Sequence, residues 1–517
     1  MAEQPEIGAT ETAPTTPGRV RAAMISLGGS YLGAALTIVK GIFLVPLFLR
    51  IFGIELYGAF LASANVVGLL GIVDLGVSSV LAQRLAETWG ARDRAQFSRS
   101  TGSGLALGFA LAAVMLVAGA ILSPYAPRLV KAPEHARAIL SLTFILTAAG
   151  SAITLAMTNL LSIASAWQRT EIVAASRLGG QLVDLVVVVV GLYAGLGVVA
   201  LGLGSIIGAA LGFVVAASWT AASWRTLGLE RPRASYLGVV ELARTTVPMM
   251  LSRVALQIGS NSEIALISAL VNPATAAVYA LTDRALRVVI TFVNPIAGSV
   301  LSGLAHFVGQ HGLGAAAAPA RELLAVWSLI VAAVLPPFLA LNQDFTTLWV
   351  GRTNFGGFAL NTALCAAAIV TAREVVLTVV LTASGAIRTV AWLSIIEVAI
   401  RLPLMYLALR LLGSVGVPTS SVLVSAAFLI VYAQFTNRRL QLPGEKGRRF
   451  QFLGSLSIVA SLALGMVEAL ALPHATTWAG LLAKGALIGT AHVSMASLLN
   501  PAGRAAFLRR LARRRVH

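Results

Sequence analysis

A chain of 517 residues in which 57% are hydrophobic and only 11% are charged is not built as a soluble globule, where about a quarter of residues carry charge. The apolar runs reach the roughly 20 residues that a membrane crossing needs, and they leave no room for a large soluble catalytic domain. The net charge of +18 does not imply nucleic acid as a partner, because the basic residues sit in the short gaps between apolar runs, where the positive-inside rule puts cytoplasmic loops.

Residues 1–18 are polar and rich in Pro and Thr. They lack the basic start and short apolar core of a secretory signal and read as a disordered cytoplasmic tail. Arg19 and Arg21 put this end inside, ahead of a first span over about Ala23–Leu49. A tight external turn with Gly53 and Glu55 leads to a second span, about Tyr57–Val80, which holds a lone Asp74. Arg84, Arg92, Arg94 and Arg99 mark the next inner gap, and a third span covers about Gly104–Leu122. The following external gap, with Arg128, Lys131 and Arg137, fits the charge rule least well. Span four is about Ile139–Ala164. Spans five and six, Gly180–Ala194 and Gly197–Trp219, meet at a glycine turn near Gly195.

Tyr236–Ala243 has two open readings, an amphipathic interfacial segment or the start of the next helix. Spans seven and eight cover about Thr246–Val271 and Ala276–Leu304. Span nine, Leu323–Leu341, contains Pro336 and Pro337 and should kink. An external gap over Asn342–Gly357 precedes span ten, Ala359–Thr382. Span eleven runs to Leu412, span twelve is Val417–Ala433, and Leu453–Ala471 with Trp478–Leu499 form a last hairpin.

The pattern predicts an all-α polytopic membrane protein of about 14 transmembrane helices with both termini cytoplasmic. Its expected parts are a first six-helix bundle over 19–225, a second over 226–440, a two-helix hairpin over 441–500 and a basic tail over 501–517. Two bundles of equal orientation make a parallel repeat, which in transporters encloses a central cavity. The lone Cys365 rules out a disulfide framework, the histidines show no metal-ligand spacing, and no G-x-x-x-x-G-K-[ST] loop is present, so no cofactor is expected.

A charge near a helix centre costs about 2.5–3.5 kcal/mol, so such residues face protein or a wet cavity. Arg284, Arg287, Thr291 and Asn294 form one stripe of span eight, with Asp283 placed to pair with Arg287 at i, i+4. Span seven carries Arg253, Gln257, Ser260 and Asn261, flanked by Glu263. Span one aligns Ser26, Ser30, Thr37 and Lys40, and span two aligns Ser63 with Asp74. Each half thus opens with a helical hairpin bearing a polar face. Arg373 with Glu374, and Glu397 with Arg401, read as ion pairs that fasten helices. Lys40 is either a cavity residue or a snorkelling one, and Asp74 either a coupling site or a cap. Asp184 and Glu468 read as helix-packing or interface residues, and Tyr57 and Trp478 as interface anchors.

The stretch Leu44–Leu81, with its helix end at Pro46–Arg50, then Phe52-Gly53, Tyr57-Gly58 and Asp74-Leu75-Gly76, resembles the first hairpin of the polysaccharide (lipid-linked oligosaccharide) flippases. These belong to the multidrug/oligosaccharidyl-lipid/polysaccharide exporter superfamily. The resemblance implies a central cavity lined by the first two helices of each half, cationic in this family, and a cargo whose diphosphate joins a polyprenol to a glycan. It makes Arg284, Arg287, Arg253, Lys40, Gln257, Asn261 and Asn294 the expected cavity residues, and Asp74, Asp283 and Glu263 candidate ion or proton sites. Arginine suits the cargo because its planar donors grip phosphate in pairs and stay charged when desolvated.

The expected role is therefore transport rather than enzymatic: flipping of a polyprenyl-diphosphate-linked oligosaccharide across the inner membrane for surface polysaccharide (O-antigen, exopolysaccharide or capsule). Its partners would be that substrate, membrane lipids and a polysaccharide polymerase or other assembly proteins, with no nucleic acid. Two alternatives stand beside it. One is a cation-coupled multidrug exporter of the same superfamily, which usually has about twelve spans and an acidic cavity. The other is a membrane-embedded glycosyltransferase or ligase, for which the gaps are short and poor in paired carboxylates.

Overall fold

The computed structural model describes residues 16–74, 76–440 and 444–514; the tail expected at the amino end falls largely on residues 1–15, outside them. The described residues form helices and no strand: α1 Thr16–Leu70, α2 Val77–Gly90, α3 Arg94–Leu122, α4 Ala126–Leu129, α5 Arg137–Ala166, α6 Thr170–Tyr193, α7 Val199–Thr226 and α8 Tyr236–Leu270. There follow α9 Pro273–His311, α10 Ala317–Val334, α11 Phe338–Val350, α12 Gly357–Ala383, α13 Ile387–Leu412, α14 Gly416–Arg439, α15 Gly444–Ala471, α16 Trp478–Leu499 and α17 Pro501–Arg514. Ten helical stretches among them are long and apolar enough to cross a membrane, and two of these, Tyr31–Gly90 and Ile387–Arg439, each contain more than one helix. The chain is a multi-pass membrane protein.

Several local outcomes differ from, or decide between, the sequence expectations. The tight turn expected after the first span is a one-residue corner: α1 is broken at Gly53 (φ 73, ψ 168), a conformation glycine adopts without a Cβ penalty. The second span is not one helix to Val80. It ends at Leu70, tightens into a 3-10 turn over Gly71–Asp74, and restarts as α2 after Gly76, which is left-handed at φ 78. Two poor helix formers, Gly71 and Gly76, bracket this break. Gln257 of α8 donates to the Gly68 carbonyl at 2.9 Å, so one of the carbonyls freed by the ending helix is satisfied from outside it. Tyr236–Ala243 is continuous with α8, which selects the plain helix-start reading.

The kink expected in span nine is a full break, because Pro336 and Pro337 separate α10 from α11. The expected external gap that begins at Asn342 is also corrected. Helix α11 continues to Val350 and buries Asn342, Asp344 and Thr346. The polarity that made this stretch look like a loop is used internally. The Asn342 amide donates to the Thr282 carbonyl and to Asn361 Oδ1, both at 2.8 Å.

The chain divides into two compact units. One comprises the chain to Lys40, Gly76–Val117 and Leu146–Thr246. Its tightest packing joins α6 and α7 through small residues. A Cβ on Gly208 would come within 2.5 Å of the Gly180 carbonyl oxygen, and one on Gly212 within 2.8 Å of the Ser176 carbonyl oxygen. Without a hydrophobic drive between helices in lipid, this close approach is what holds them. The second unit comprises Gly41–Leu75, Ala118–Ile145 and Val247–His517. Its core is built on Tyr279, Trp327 and Tyr432, with the Trp327 indole donating to the Ala372 carbonyl at 2.8 Å.

Within the second unit, Asp344 ties the last hairpin to α11. The carboxylate, 1% exposed, accepts from Lys484 Nζ at 2.8 Å, His474 Nδ1 at 2.7 Å and the Ala475 amide at 3.1 Å. Burial pushes its pKa up. The bonds from Lys484, Ala475 and His474 outweigh that and hold it below the ordinary 3.8. A carboxyl lowered on folding stabilises the protein fully above 3.8, and that contribution fades as pH falls through the lowered value. Asp344→Asn should therefore melt well below the wild type at pH 7, with a cost of about 3–5 kcal/mol for a broken buried pair. The gap should close in acid below 3.8, as read by thermal melts of the purified protein across pH.

Candidate functional site: an interior charge network

Helix α9 starts cleanly. Asn272 accepts from the Thr275 amide at 2.7 Å, and Pro273 takes the first turn, where its missing N–H costs nothing. Tyr279, Asp283 and Arg287 then follow at four-residue spacing on one face. They converge on Glu263 of α8. The Tyr279 hydroxyl donates to Glu263 at 3.0 Å and Arg287 Nη2 donates to it at 3.1 Å, while Arg287 Nε bonds Asp283 one turn back. Arg287 is 47% exposed, against 7% for Asp283 and 16% for Glu263. One guanidinium thus serves two carboxylates, and a good part of its capacity is spent inside the protein.

Arg284 is placed differently. Its guanidinium lies across Gly41 of α1, so closely that a Cβ there would fall 1.5 Å from Nη2. Its Nε is buried and finds no hydrogen-bond acceptor among the described residues. Tyr57 lies within electrostatic reach. Tyr57 is 5% exposed and its ring sits 6.0 Å from that of Phe48, so it is a core residue rather than the interface anchor expected. Trp478 stays 49% exposed.

The other expected residues are distributed as follows. Gln257 reaches Gly68, and the Asn261 amide lies beside the same glycine, 3.1 Å from where a Cβ would be. Gln257 therefore caps the end of the second limb of α1, and Asn261 packs against it. Lys40 pairs with Asp184 of α6, a contact neither reading of that lysine anticipated. Asp283 and Glu263, the candidate coupling carboxylates, are held by Arg287. The side chains of Arg253, Asn294 and Asp74 lie outside the described residues.

Arg373 and Glu374 do not meet each other. Neighbouring residues on a helix point about 100° apart, and here Arg373 donates to Ser328 at 3.2 Å while Glu374 faces Glu397. Arg401 bonds Glu397 one turn earlier and also Ser425 of α14 at 2.6 Å, and Ser425 donates to Glu397 at 3.0 Å. Arg401 also stands 3.9 Å from where a Cβ on Gly259 of α8 would be, and within electrostatic reach of Glu263. The polar interior is thus continuous from α9 through α8 to α13 and α14.

Among the described residues no cluster of three or more His, Cys, Asp or Glu has the arrangement of a metal site.

A multi-pass helical bundle with charged side chains threaded through its interior defines a class, and sequence comparison places the chain within it. A family model described as polysaccharide biosynthesis protein matches residues 27–302, and the chain belongs to that family. No curated protein matches it. The fold is shared with the lipid II flippase MurJ in an inward closed conformation, at 12% identity and TM-score 0.65, covering 92% of this chain and 98% of that one. It is shared too with an inward-facing multidrug resistance MATE family transporter of the MOP superfamily, at 15% identity, TM-score 0.64 and coverage of 81% and 98%. A MOP superfamily transporter from Pyrococcus furiosus, whose binding pocket is described as reversed in polarity, matches at 14% identity, TM-score 0.60 and coverage of 83% and 99%.

Arg287→Ala leaves two buried carboxylates without their cation. It should cost about 3–5 kcal/mol and lower the yield of folded protein, while the double variant Arg287→Ala with Asp283→Asn recovers much of the loss in thermal melts.

Proposed function

We propose that the chain flips a polyprenyl-diphosphate-linked oligosaccharide across the inner membrane for assembly of a surface polysaccharide, opening alternately to the two sides. Both termini then lie in the cytoplasm, and the glycan is passed to a polymerase outside. Arg284 carries the reading. It is a guanidinium in the interior of the helical bundle with a buried donor that finds no acceptor among the described residues. A diphosphate supplies the missing acceptors in the planar geometry arginine prefers. Arg287 contributes positive potential while its bonds remain on Asp283 and Glu263. Membership of the polysaccharide biosynthesis family supports the glycan, and likeness to a lipid II flippase supports the lipid carrier. The transport step draws on an ion gradient or membrane potential, or on consumption of the product.

Arg284→Ala tests this directly. It should insert and melt like the wild type, since Arg284 forms no ion pair among the described residues, yet lose at least tenfold in flipping rate in liposomes or in surface glycan in cells. A tenfold loss corresponds to about 1.4 kcal/mol of lost interaction. Wild-type flipping from a normally inserted variant counts against the proposal. A second reading, cation-coupled drug export, is favoured by the excess of carboxylate over guanidinium at Glu263, Asp283 and Arg287. Drug accumulation in an efflux-deficient host separates the two.

A further inference from the structure

The last hairpin contains a buried cluster that the transport reading does not use. Ser461 and Glu468 lie seven residues apart on one face of α15, and His492 of α16 sits between them. Ser461 and His492 are 0% exposed and the Glu468 side chain is 11% exposed. Ser461 Oγ approaches the Ala332 carbonyl of α10 at 2.5 Å and also bonds His492 Nδ1, and His492 Nε2 lies 2.9 Å from Glu468 Oε2.

Serine, histidine and glutamate in a chain suggest a nucleophile, but hydrogen counting points elsewhere. A carbonyl only accepts, so the single hydroxyl hydrogen of Ser461 goes to Ala332. With that hydrogen used, His492 Nδ1 must itself carry the hydrogen it shares with Ser461 Oγ. At the far side of the ring, a 2.9 Å contact between an imidazole nitrogen and a carboxylate oxygen also needs a hydrogen between them. Two hydrogens are thus shared by His492 and Glu468, one more than a neutral imidazole beside an ionised carboxylate has.

We propose that His492 and Glu468 form a proton-binding site within the closing hairpin, and that its bound proton latches α16 to α15 and α10. The proton resides either as an imidazolium beside a carboxylate or as a neutral ring beside a carboxylic acid. Both forms are neutral overall, which suits a dry membrane interior. Loss of the proton turns one of the two contacts into a meeting of two acceptors, and the latch opens at that point.

Other charges on the surrounding helices are engaged elsewhere or do not bond the pair. From α11, Asp344 holds Lys484 of α16 and His474. From α10, Glu322 pairs with Arg509 of α17, and Arg321 donates to the Ala317 carbonyl. Arg504 of α17 is exposed. None of these bonds His492 or Glu468 among the described contacts.

The test is nitrogen NMR on the full-length protein labelled with 15N-histidine, in nanodiscs at neutral pH. His492 is one of six histidines, so its signals are assigned as those lost in His492→Gln. Should that variant not fold, the assignment rests on the signal that responds to Ser461→Ala. The expected result is a proton on Nδ1, in either the cationic ring or the Nδ1–H tautomer, and an Nε2 signal displaced by Glu468→Gln. A bare Nδ1 in an Nε2–H tautomer overturns the proposal, and so does an Nε2 signal indifferent to Glu468→Gln. Backbone hydrogen exchange in α16 reads the latch. It should rise severalfold in Ser461→Ala, and unchanged exchange there refutes the latching role.

Discussion

Moving a charge out of water and into the hydrocarbon layer is so unfavourable that every intramembrane ion must be answered by protein, water or ligand. That single constraint organises the interior of this chain. Lys40 is answered by Asp184, Arg287 by Asp283 and Glu263, and Arg401 by Glu397 and Ser425. Each answer crosses from one helix to another or locks one turn to the next. The ion pairs therefore fix which helix faces meet, even where their net contribution to stability is small.

Close packing and charge are linked by the same geometry. A guanidinium lying between two helices needs a gap, and glycine supplies it. Gly41 lies under Arg284, Gly259 beside Arg401, and Gly204 against Asp184, where a Cβ would come 2.4 Å from the carboxylate. The same residue type lets backbones touch where no charge intervenes. A Cβ on Gly58 would come 1.9 Å from the Pro273 carbonyl oxygen. Glycines that look like weak points in a helical pattern are thus the places where α1, α7 and α8 accommodate their neighbours.

Helix positions were largely legible in the sequence, because apolar run length and loop arginines report on the bilayer rather than on tertiary contacts. The corner at Gly53, the turn near Gly195 (φ 79) and the last hairpin follow from local rules. The misses have one physical origin. Gly71–Gly76 breaks a helix that reads as continuous, and Asn342–Val350 continues one that reads as loop, because partners from distant parts of the chain decide both. Gln257 meets the end of one helix, and Thr282, Asn361 and Lys484 bond the Asn342 amide and Asp344 of the other. The site shows the same division. The i, i+4 bonds of Asp283 with Arg287 and of Glu397 with Arg401 could be placed from spacing alone. The seats of Lys40, Tyr57 and Glu374 could not, since each depends on a residue at least twenty positions away.

Arg284 and Arg287 show why spacing alone cannot assign roles. Three residues apart on α9, they share a stripe in the sequence and would be given the same function. Their neighbours separate them. Arg287 faces α8, where Glu263 adds a second carboxylate to the one Asp283 already offers, so the energy of its charge is spent on structure. Arg284 faces a bare glycine of α1 and keeps a buried donor open. Arg401 Nε is open in the same way among the described residues, but Arg401 Nη2 is answered by Glu397 and Ser425. Of the two arginines on this stripe, Arg284 is thus the one that keeps a donor open, and Arg287 the one whose charge is answered by carboxylates.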